Sequence, residues 1–249
     1  QTIIDAMTKE VYRKKFVVKT QAVVSAIEKG DEKFLVKSGA GDFTADYLIY
    51  CTGSSPKSLK LIQTLGHKIV EPVPSLFTFN IKNEALKDLM GISFPNAEVS
   101  IPALKAEESG PMLITHWGLS GPAILKISAW KARELAAQKY QFEIFVNFLG
   151  ISRDEALDLL KDYRTQNPKK TIGASKIYNI TTRFWHRILW LSKVNLDKNI
   201  STLTSKEVES IVTNLCENAM KVTGKSTYKD EFVTAGGVDL KEVNFKNMS

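Results

Sequence analysis

The chain has 249 residues, of which 43% are hydrophobic and 24% charged, with a formal net charge of +7. This length can hold one large or two modest domains with a sizeable core, and the composition excludes a disordered chain. The basic excess invites a nucleic-acid partner, but the lysines are scattered and the only adjacent lysine pairs are Lys14–Lys15 and Lys169–Lys170. We therefore expect a solvated basic surface rather than a nucleic-acid-binding stripe.

The apolar runs and the cysteine count indicate the cellular compartment of the chain. No apolar run approaches the roughly 20 residues of a membrane span, so no membrane partner is expected. Cys51 and Cys216 are too few for a disulfide framework or a zinc site, which predicts a reduced, cytoplasmic setting. Because the chain starts without Met or a signal peptide, Gln1 is expected to begin an excised segment.

The first quarter of the chain predicts a helix followed by short strands. Residues 2–15 carry apolar side chains at helical spacing: Ile3, Ile4, Met7, Val11 and Tyr12. Strands are predicted at 16–19, 21–27 and 33–37, with turns at 28–32 and 39–42. A continuous apolar run at 47–50 predicts a strand covered on both faces, and it ends in small residues at 51–53.

After a short predicted helix at 58–65, the sequence is strand-like. Runs at 76–81, 91–94 and 97–101 are separated at short intervals, with a turn expected at Pro95–Asn96. This pattern predicts a small barrel or sandwich. Residues 141–148 alternate strictly between apolar and polar side chains, which predicts a half-buried strand.

Residues 112–125 combine an apolar strand, a polar turn with His116, and a helix start. Ser120 is predicted as the N-cap, and Pro122 fits the first helical turn because its missing N–H is not needed there. Such a helix end favours a phosphate, a carboxylate or an electron-rich ring edge. The alternative is a buried turn in which the serine caps the helix and the histidine bonds a backbone carbonyl.

The remaining sequence is mainly helical. Capping-box spacing at Ser152–Glu155 and at 204–207 predicts two helix starts, and Asn167–Pro168 ends the first of these helices. Residues 177–194 predict a further apolar helix, and strands at 220–222 and 232–234 are expected to return to the first sheet.

Three motifs carry a resemblance to a known family: residues 65–77, the run Thr-His-Trp-Gly-Leu-Ser-Gly-Pro at 115–122, and 233–243 followed by Met248-Ser249. In this order they resemble the BaiN-like flavoproteins, a family of NAD(P)/FAD-dependent oxidoreductases with aminoacetone-oxidase-like members. The resemblance implies an α+β fold, in which an incomplete FAD-binding Rossmann-type domain carries an inserted β-barrel and a helical subdomain. The implied segments are 1–72 (FAD domain), 73–150 (barrel), 151–218 (helices) and 219–249 (return to the FAD domain).

The resemblance also implies a cofactor and a site. FAD is the expected cofactor, with NAD(P)H as a second candidate, and the substrate is expected to be a small molecule. Cofactor contacts are implied for Val23, Val24, Cys51, Thr52, Gly53, Gly236 and Gly237. Substrate-side positions are implied for Thr115, Trp117, Ser120 and Gly121. Because histidine ordinarily titrates near neutral pH, His116 is the candidate to pass a proton to the substrate.

The sequence departs from the family in two places. No G-x-G-x-x-G turn for the FAD pyrophosphate occurs, nor does the family's later flavin-contacting run, and the loop after Gly53 is shortened. The chain therefore resembles the middle of such an enzyme. The alternative is a degenerate, non-catalytic module that binds no cofactor.

Other polar residues have simpler explanations. His67 is expected to interact with the last carbonyls of a helix, His186 to be packed or surface-exposed, and Trp117 to fill the core, with stacking on a ring as the alternative. No metal or acid–base pairing is expected of the remaining acidic candidates, Asp5, Asp42, Glu98 and Glu107.

Overall fold

The computed structural model describes residues 2–226 and 233–248. The chain divides into two compact units, Gln1–Glu71 with Gly236–Ser249, and Pro72–Ala235. Strands β4 (Ile69–Pro74) and β11 (Thr234–Val238) form a two-stranded sheet, and the unit boundary falls within both strands.

The first unit contains the predicted amino-terminal helix and a small antiparallel sheet. Its elements are α1 (Thr2–Arg13), β1 (Val24–Lys29), β2 (Phe34–Ser38), β3 (Gly41–Ala45) and α2 (Pro56–Thr64). The strands pair in the order β1-β2-β3, so the two predicted turns join neighbouring strands as hairpins. The predictions of α1, α2 and these hairpins are confirmed.

Two predicted strands of the first unit are wrong. Residues 16–19 and 47–50 have no strand structure, and Tyr47 and Ile49 are 90% and 86% exposed. A run of apolar residues becomes a buried strand only where neighbours supply ladder hydrogen bonds and cover both faces. No strand among the described residues pairs with either segment. Helix α1 likewise buries none of its residues, so its predicted apolar face is exposed.

The second unit is built on a closed barrel of six antiparallel strands in the order β10-β5-β8-β7-β6-β9. Its strands are β5 (Phe79–Ile81), β6 (Ser93–Ile101), β7 (Ala106–Ile114), β8 (Gly118–Ser120), β9 (Phe142–Asn147) and β10 (Asn218–Lys225). Alternation places Phe142, Ile144 and Val146 inside the barrel, as predicted for this strand. The predicted barrel is confirmed.

Pro95 and Asn96 do not form the predicted turn between two strands. They lie within the single strand β6, where the register with β7 shifts between Phe94 and Ala97. A bulge accommodates a proline because one residue leaves the ladder and needs no N–H partner. Gly150 packs against this bulge, and a Cβ there would overlap the carbonyl oxygen of Asn96.

Helices follow or interrupt the barrel strands: α3 (Pro122–Trp130), α4 (Ala132–Ala137), α5 (Arg153–Gln166), α6 (Thr182–Leu191) and α7 (Ser205–Cys216). The predicted caps of α5 and α7 are confirmed, since Ser152 accepts from the N–H of Glu155 and Thr204 forms a complete capping box with Glu207. Apolar side chains of the barrel and of these helices share one core cluster. The barrel and the helices therefore pack as one body.

The carboxyl-terminal predictions have mixed outcomes. Strand β10 exists as predicted but closes the barrel between β9 and β5, and it does not join the first sheet. Strand β11 begins at Thr234, whereas Phe232 of the predicted strand and Ser249 of the last motif lie outside the described residues. The Rossmann-type arrangement and the four segment boundaries stay predictions. Over the described part of the chain, no helix has the length and apolar character to cross a membrane.

Candidate functional site

A tight turn at residues 115–118 presents His116 to solvent. The N–H of Thr115 donates to the carbonyl of Gly118 at 2.8 Å, and the Thr115 hydroxyl accepts from the N–H groups of Trp117 and Gly118. The amide of Ile81 on β5 donates to the carbonyl of Trp117 at 2.8 Å. His116 is exposed, and none of these bonds uses its ring. The turn is thus fixed by backbone and threonine bonds while the imidazole stays accessible.

Two glycines allow the turn and the following helix to approach neighbouring strands. Gly118 has φ +148°, and a Cβ on it would lie 2.6 Å from the amide nitrogen of Ile81. Gly121 has φ +100°, and a Cβ there would lie 2.8 Å from the carbonyl oxygen of Pro111. A side chain at either position would therefore displace backbone.

The prediction that Ser120 caps helix α3 is wrong. The N-cap residue is Gly121, which has no side chain to accept a bond, while Pro122 occupies the first turn as predicted. The Ser120 oxygen instead accepts a hydrogen bond from the Thr78 hydroxyl at 3.0 Å. Ser120 is still part of strand β8, so its hydroxyl meets Thr78, the residue before the neighbouring strand β5, and not the first turn of α3.

A surface groove of about 480 Å³ lies beside this turn. Thr115, His116 and Gly118 line it on one side, and the segment between β5 and β6 lines it on the other. The lining side chains of that segment include Lys82, Glu84, Lys87, Asp88 and Met90. The predicted substrate-side residues Trp117, Ser120 and Gly121 do not line the groove. Sequence reasoning missed residues 82–90, since a polar stretch between two strands carries no signal beyond that of a loop.

Helix α6 holds this second wall of the groove. The guanidinium of Arg183 donates to the carbonyl of Met90 at 3.1 Å, and that of Arg187 donates to the carbonyl of Glu84. Beneath them the side chains of Ala85, Leu86 and Leu89 are buried in the core. The wall is therefore anchored by apolar packing below and by two charge-assisted hydrogen bonds above.

Asn80 contributes an unusual polar atom near the turn. It lies opposite Gly118 in the β5–β8 ladder, and its Oδ1 is buried without a hydrogen-bond partner among the described residues. Buried acceptors ordinarily have a partner, so this oxygen is a place where a water or ligand donor is expected.

The residues implied as cofactor contacts all belong to the first unit. Val23 and Val24 lie at the start of the small sheet, Cys51, Thr52 and Gly53 follow the unpaired run, and Gly236 and Gly237 lie in β11. Gly53 and Gly237 have positive φ, and a Cβ added to either would meet no heavy atom within 4 Å, so their backbones are open to a ligand. Within the described residues, no hydrogen bond joins the segment 51–53 to residues 23–24 or to residues 236–237.

The other singled-out aromatic and imidazole side chains have structural contacts. His67 Nδ1 lies 3.0 Å from Glu242 Oε2, a side-chain contact that the sequence did not predict, while its backbone N–H donates to the carbonyl of Ile62 near the end of α2, as predicted. The Nε2–H of His186 donates to the carbonyl of Gly173 at 3.1 Å, consistent with its predicted packing. Trp117 is 52% exposed, so it does not fill the core.

Glu98 and Glu107, for which no pairing was expected, do meet on the outer face of β6 and β7. Their hydrogen bond, together with partial burial, raises the pKa of Glu98. They line a second cavity of about 580 Å³ with Asn147, Cys216 and Glu217. No group of three or more His, Cys, Asp or Glu in the described ranges could hold a metal ion.

The second unit thus defines a class: a closed six-stranded barrel with a helical segment between its fifth and sixth strands along the chain, and a histidine turn at its surface. The sequence profile described as "HI0933-like protein barrel and H2TH domain" matches residues 73–233, and the chain belongs to this family. The match coincides almost entirely with the second unit, Pro72–Ala235.

Curated relatives extend the similarity to the whole chain. The chain is 23% identical over 265 residues to a ribosomal RNA dihydrouridine synthase of Escherichia coli K12, covering 100% of this chain and 62% of the relative. It is 24% identical over 258 residues to a 3-dehydro-bile acid delta(4,6)-reductase of Clostridium scindens, covering 97% and 62% respectively. A ribosomal RNA dihydrouridine synthase of Haemophilus influenzae is 25% identical over 264 residues, again 100% and 62%. The chain spans 62% of the length of each of these relatives.

Proposed function

We propose that this chain is the middle part of an FAD-dependent oxidoreductase that reduces a carbon–carbon double bond of its substrate. The observation that carries the proposal is the groove beside the fixed turn, into which His116 presents an exposed imidazole. The names of the relatives support the reaction class, because a delta(4,6)-reductase and a dihydrouridine synthase both saturate a ring double bond.

In this proposal His116 supplies a proton to one carbon of the double bond. The turn holds the imidazole without using its ring nitrogens, so both remain available to the substrate. A reduced flavin, when bound, would supply the hydride that completes the addition of two hydrogens, and NAD(P)H is the proposed source of its electrons. General acid catalysis by one positioned side chain is worth about 10²- to 10⁴-fold in rate.

FAD would contact the first unit at the open glycine backbones. Gly53 and Gly237 leave space where a ring edge or phosphate could approach the main chain closely, and the exposed Val23 lies in the same unit. These residues fit a partial flavin contact. The pyrophosphate needs a glycine-rich turn at a helix N-terminus, which this sequence lacks, so a longer protein that includes this chain would have to supply it.

Two substrate classes follow from this reaction. The first is a small molecule, as the family resemblance implies and as the bile acid reductase supports. The second is a uridine base in RNA, which the names of two relatives support and which opposes the expectation of no nucleic-acid partner. Both substrates would present a conjugated ring double bond, which is the group that the proposed reaction reduces.

The test is an absorbance spectrum of this chain beside that of a longer protein that includes it, followed by turnover. Flavin peaks in the longer protein, and their bleaching by NADPH or NADH with recovery on adding a conjugated enone or a uridine-containing RNA, are expected. If the longer protein is colourless and added FAD changes neither its spectrum nor its thermal stability, the proposal is wrong. The degenerate, cofactor-free module then takes its place.

A further inference from the structure

Helix α6 carries two arginines and a tryptophan on the face turned away from the core. Phe184, Trp185, Ile188 and Leu189 are buried on the opposite face. Arg183, Arg187 and Trp190 follow the spacing i, i+4, i+7 and therefore form one stripe, which we call the α6 stripe. Trp190 is 59% exposed, so most of its ring is accessible to a ligand.

The members of the stripe organise one another. The guanidinium carbon of Arg187 lies 5.4 Å from the centroid of the Trp190 ring, within the range of a cation–π contact. This contact holds the indole with one face covered by a cation and leaves most of the side chain in solvent. The stripe therefore presents the flat indole ring of Trp190 beside the positively charged guanidinium of Arg187.

The stripe borders the groove of His116. Arg183 and Arg187 each donate to a backbone carbonyl of the groove wall, at Met90 and Glu84. A guanidinium has five N–H donors, so each arginine keeps donors beyond the bond to the wall. The charges that line the groove balance, because Lys82 and Lys87 are matched in number by the carboxylates of Glu84 and Asp88. The two arginines therefore make the local net charge positive.

We propose that the α6 stripe is a docking surface for single-stranded RNA, which places a neighbouring nucleotide in the groove at His116. Phosphate oxygens would accept from Arg183 and Arg187, and a base would stack on Trp190. This inference rests on the second substrate class of the proposed function.

Charge and shape favour this occupant. Arginine forks recognise phosphate, and exposed aromatic rings next to basic groups are the usual platform for bases of single strands. The net charge of +7 attracts a polyanion at long range. An acidic protein segment could use the arginines but gains little from a flat indole, so it is the competing outcome.

The experiment measures binding of a labelled single-stranded oligouridine of about 12 nucleotides to this chain by fluorescence anisotropy. Trp190→Ala should weaken binding about tenfold, through loss of one stacking contact. Arg183→Gln and Arg187→Gln should each weaken it several-fold and each reduce the salt slope by about 1 between about 50 and 200 mM salt. Arg187→Lys should recover part of the affinity, because the charge returns without the fork.

Matched controls are available in the same unit. Trp130 is an exposed tryptophan at the end of α3, and Lys206 is an exposed cation in the first turn of α7. Trp130→Ala and Lys206→Gln should leave RNA binding unchanged. Because the arginines also hold the groove wall, circular dichroism melting of each variant is compared, and Trp190→Ala tests the surface without touching those bonds.

Three results would overturn the inference: no RNA binding at low salt, equal losses in stripe and control variants, or capture of an acidic peptide with no competition from RNA. The assay needs neither cofactor nor turnover, so it separates the two proposals. RNA binding that depends on the stripe in a protein without flavin contradicts only the proposed function. Flavin turnover of a small molecule without RNA binding contradicts only this inference.

Discussion

Gly118 and Phe79 approach so closely that no side chain fits between them: a Cβ on Gly118 would overlap the carbonyl oxygen of Phe79. These two residues belong to neighbouring strands, β8 and β5, and Phe79 is completely buried in the core. The contact fixes the position of the 115–118 turn relative to the barrel.

Gly118→Ala should therefore cost more stability than an ordinary glycine substitution. We expect a loss of about 3 kcal/mol or more in the free energy of unfolding, from backbone displacement and overpacking together. Gly91→Ala is the matched control, since Gly91 has φ +86° but nothing within 4 Å of its Cβ position. Gly91→Ala should lower the free energy of unfolding by only about 1–2 kcal/mol, because alanine is strained in the left-handed conformation. Urea unfolding measures both, and equal losses would contradict the close contact.

His116→Asn should lower the turnover of the flavin-loaded protein by about 10²-fold or more while leaving the unfolding midpoint unchanged. The side chain is exposed and makes none of the bonds that hold the turn, so its removal should affect only proton delivery. His67→Asn is the control and should leave turnover unchanged, because His67 and its partner Glu242 both belong to the first unit and do not line the groove. Unchanged turnover of His116→Asn would remove the histidine from the mechanism.

Glu207 should contribute stability that depends on pH. Hydrogen bonds from Lys198 Nζ, at 2.7 and 2.8 Å, and from the N–H of Thr204 lower the pKa of the Glu207 carboxyl in the folded protein. A lowered folded-state pKa stabilises the fold above the ordinary glutamate pKa, and the contribution is lost as the pH falls through the lowered value.

Glu207→Gln should accordingly lose about 1 kcal/mol at neutral pH, and the difference from wild type should shrink as the solution is acidified below the ordinary glutamate range. Urea unfolding at several pH values measures this. Glu143→Gln, an exposed substitution on β9, serves as the control and should show little difference at any pH. A difference for Glu207→Gln that persists unchanged in acid would exclude the charged cap.

The two cysteines should differ widely in reactivity. Cys51 is exposed, whereas Cys216 is buried, and its burial, with Glu217 nearby, raises the pKa of its thiol to about 11. Because the thiolate is the reactive form, Ellman's reagent at neutral pH should modify Cys51 quickly and Cys216 only after unfolding. Single Cys→Ser variants assign the two phases. Equal rates in the folded state would contradict the burial of Cys216 against the barrel.

Local signals in the sequence were sufficient where the structure depends on near neighbours. The alternation of β9 and the caps at Ser152 and Thr204 act within a few residues, and all three are found as predicted. The barrel itself follows from several short strands at close intervals, although its closing strand was assigned elsewhere. That closure pairs β10 with β5, whose residues are far apart in the chain.

The failures share a dependence on distant partners. Ser120 has the sequence of an N-cap, yet its hydroxyl accepts a hydrogen bond from Thr78, which directly precedes the neighbouring strand β5. Pro95 signals a turn locally, but β7 and β9 on either side of β6 keep the strand continuous through a bulge. The groove wall at 82–90 depends on two arginines of α6, about a hundred positions later in the chain, so no local pattern could identify it.

The closing strand of the barrel also sets the order of events during synthesis. Strands β5 and β9 each keep one unpaired edge until β10 is made, and β10 follows the whole segment that contains α5, α6 and α7. Until residue 225 has left the ribosome, the nascent chain therefore exposes two strand edges with unpaired backbone N–H and C=O groups. A chain whose synthesis stops within the helical segment should be prone to aggregation, because those edges can pair with other chains. Because β9 and β10 pair directly, the helical segment between them must bring its two ends together for the barrel to close.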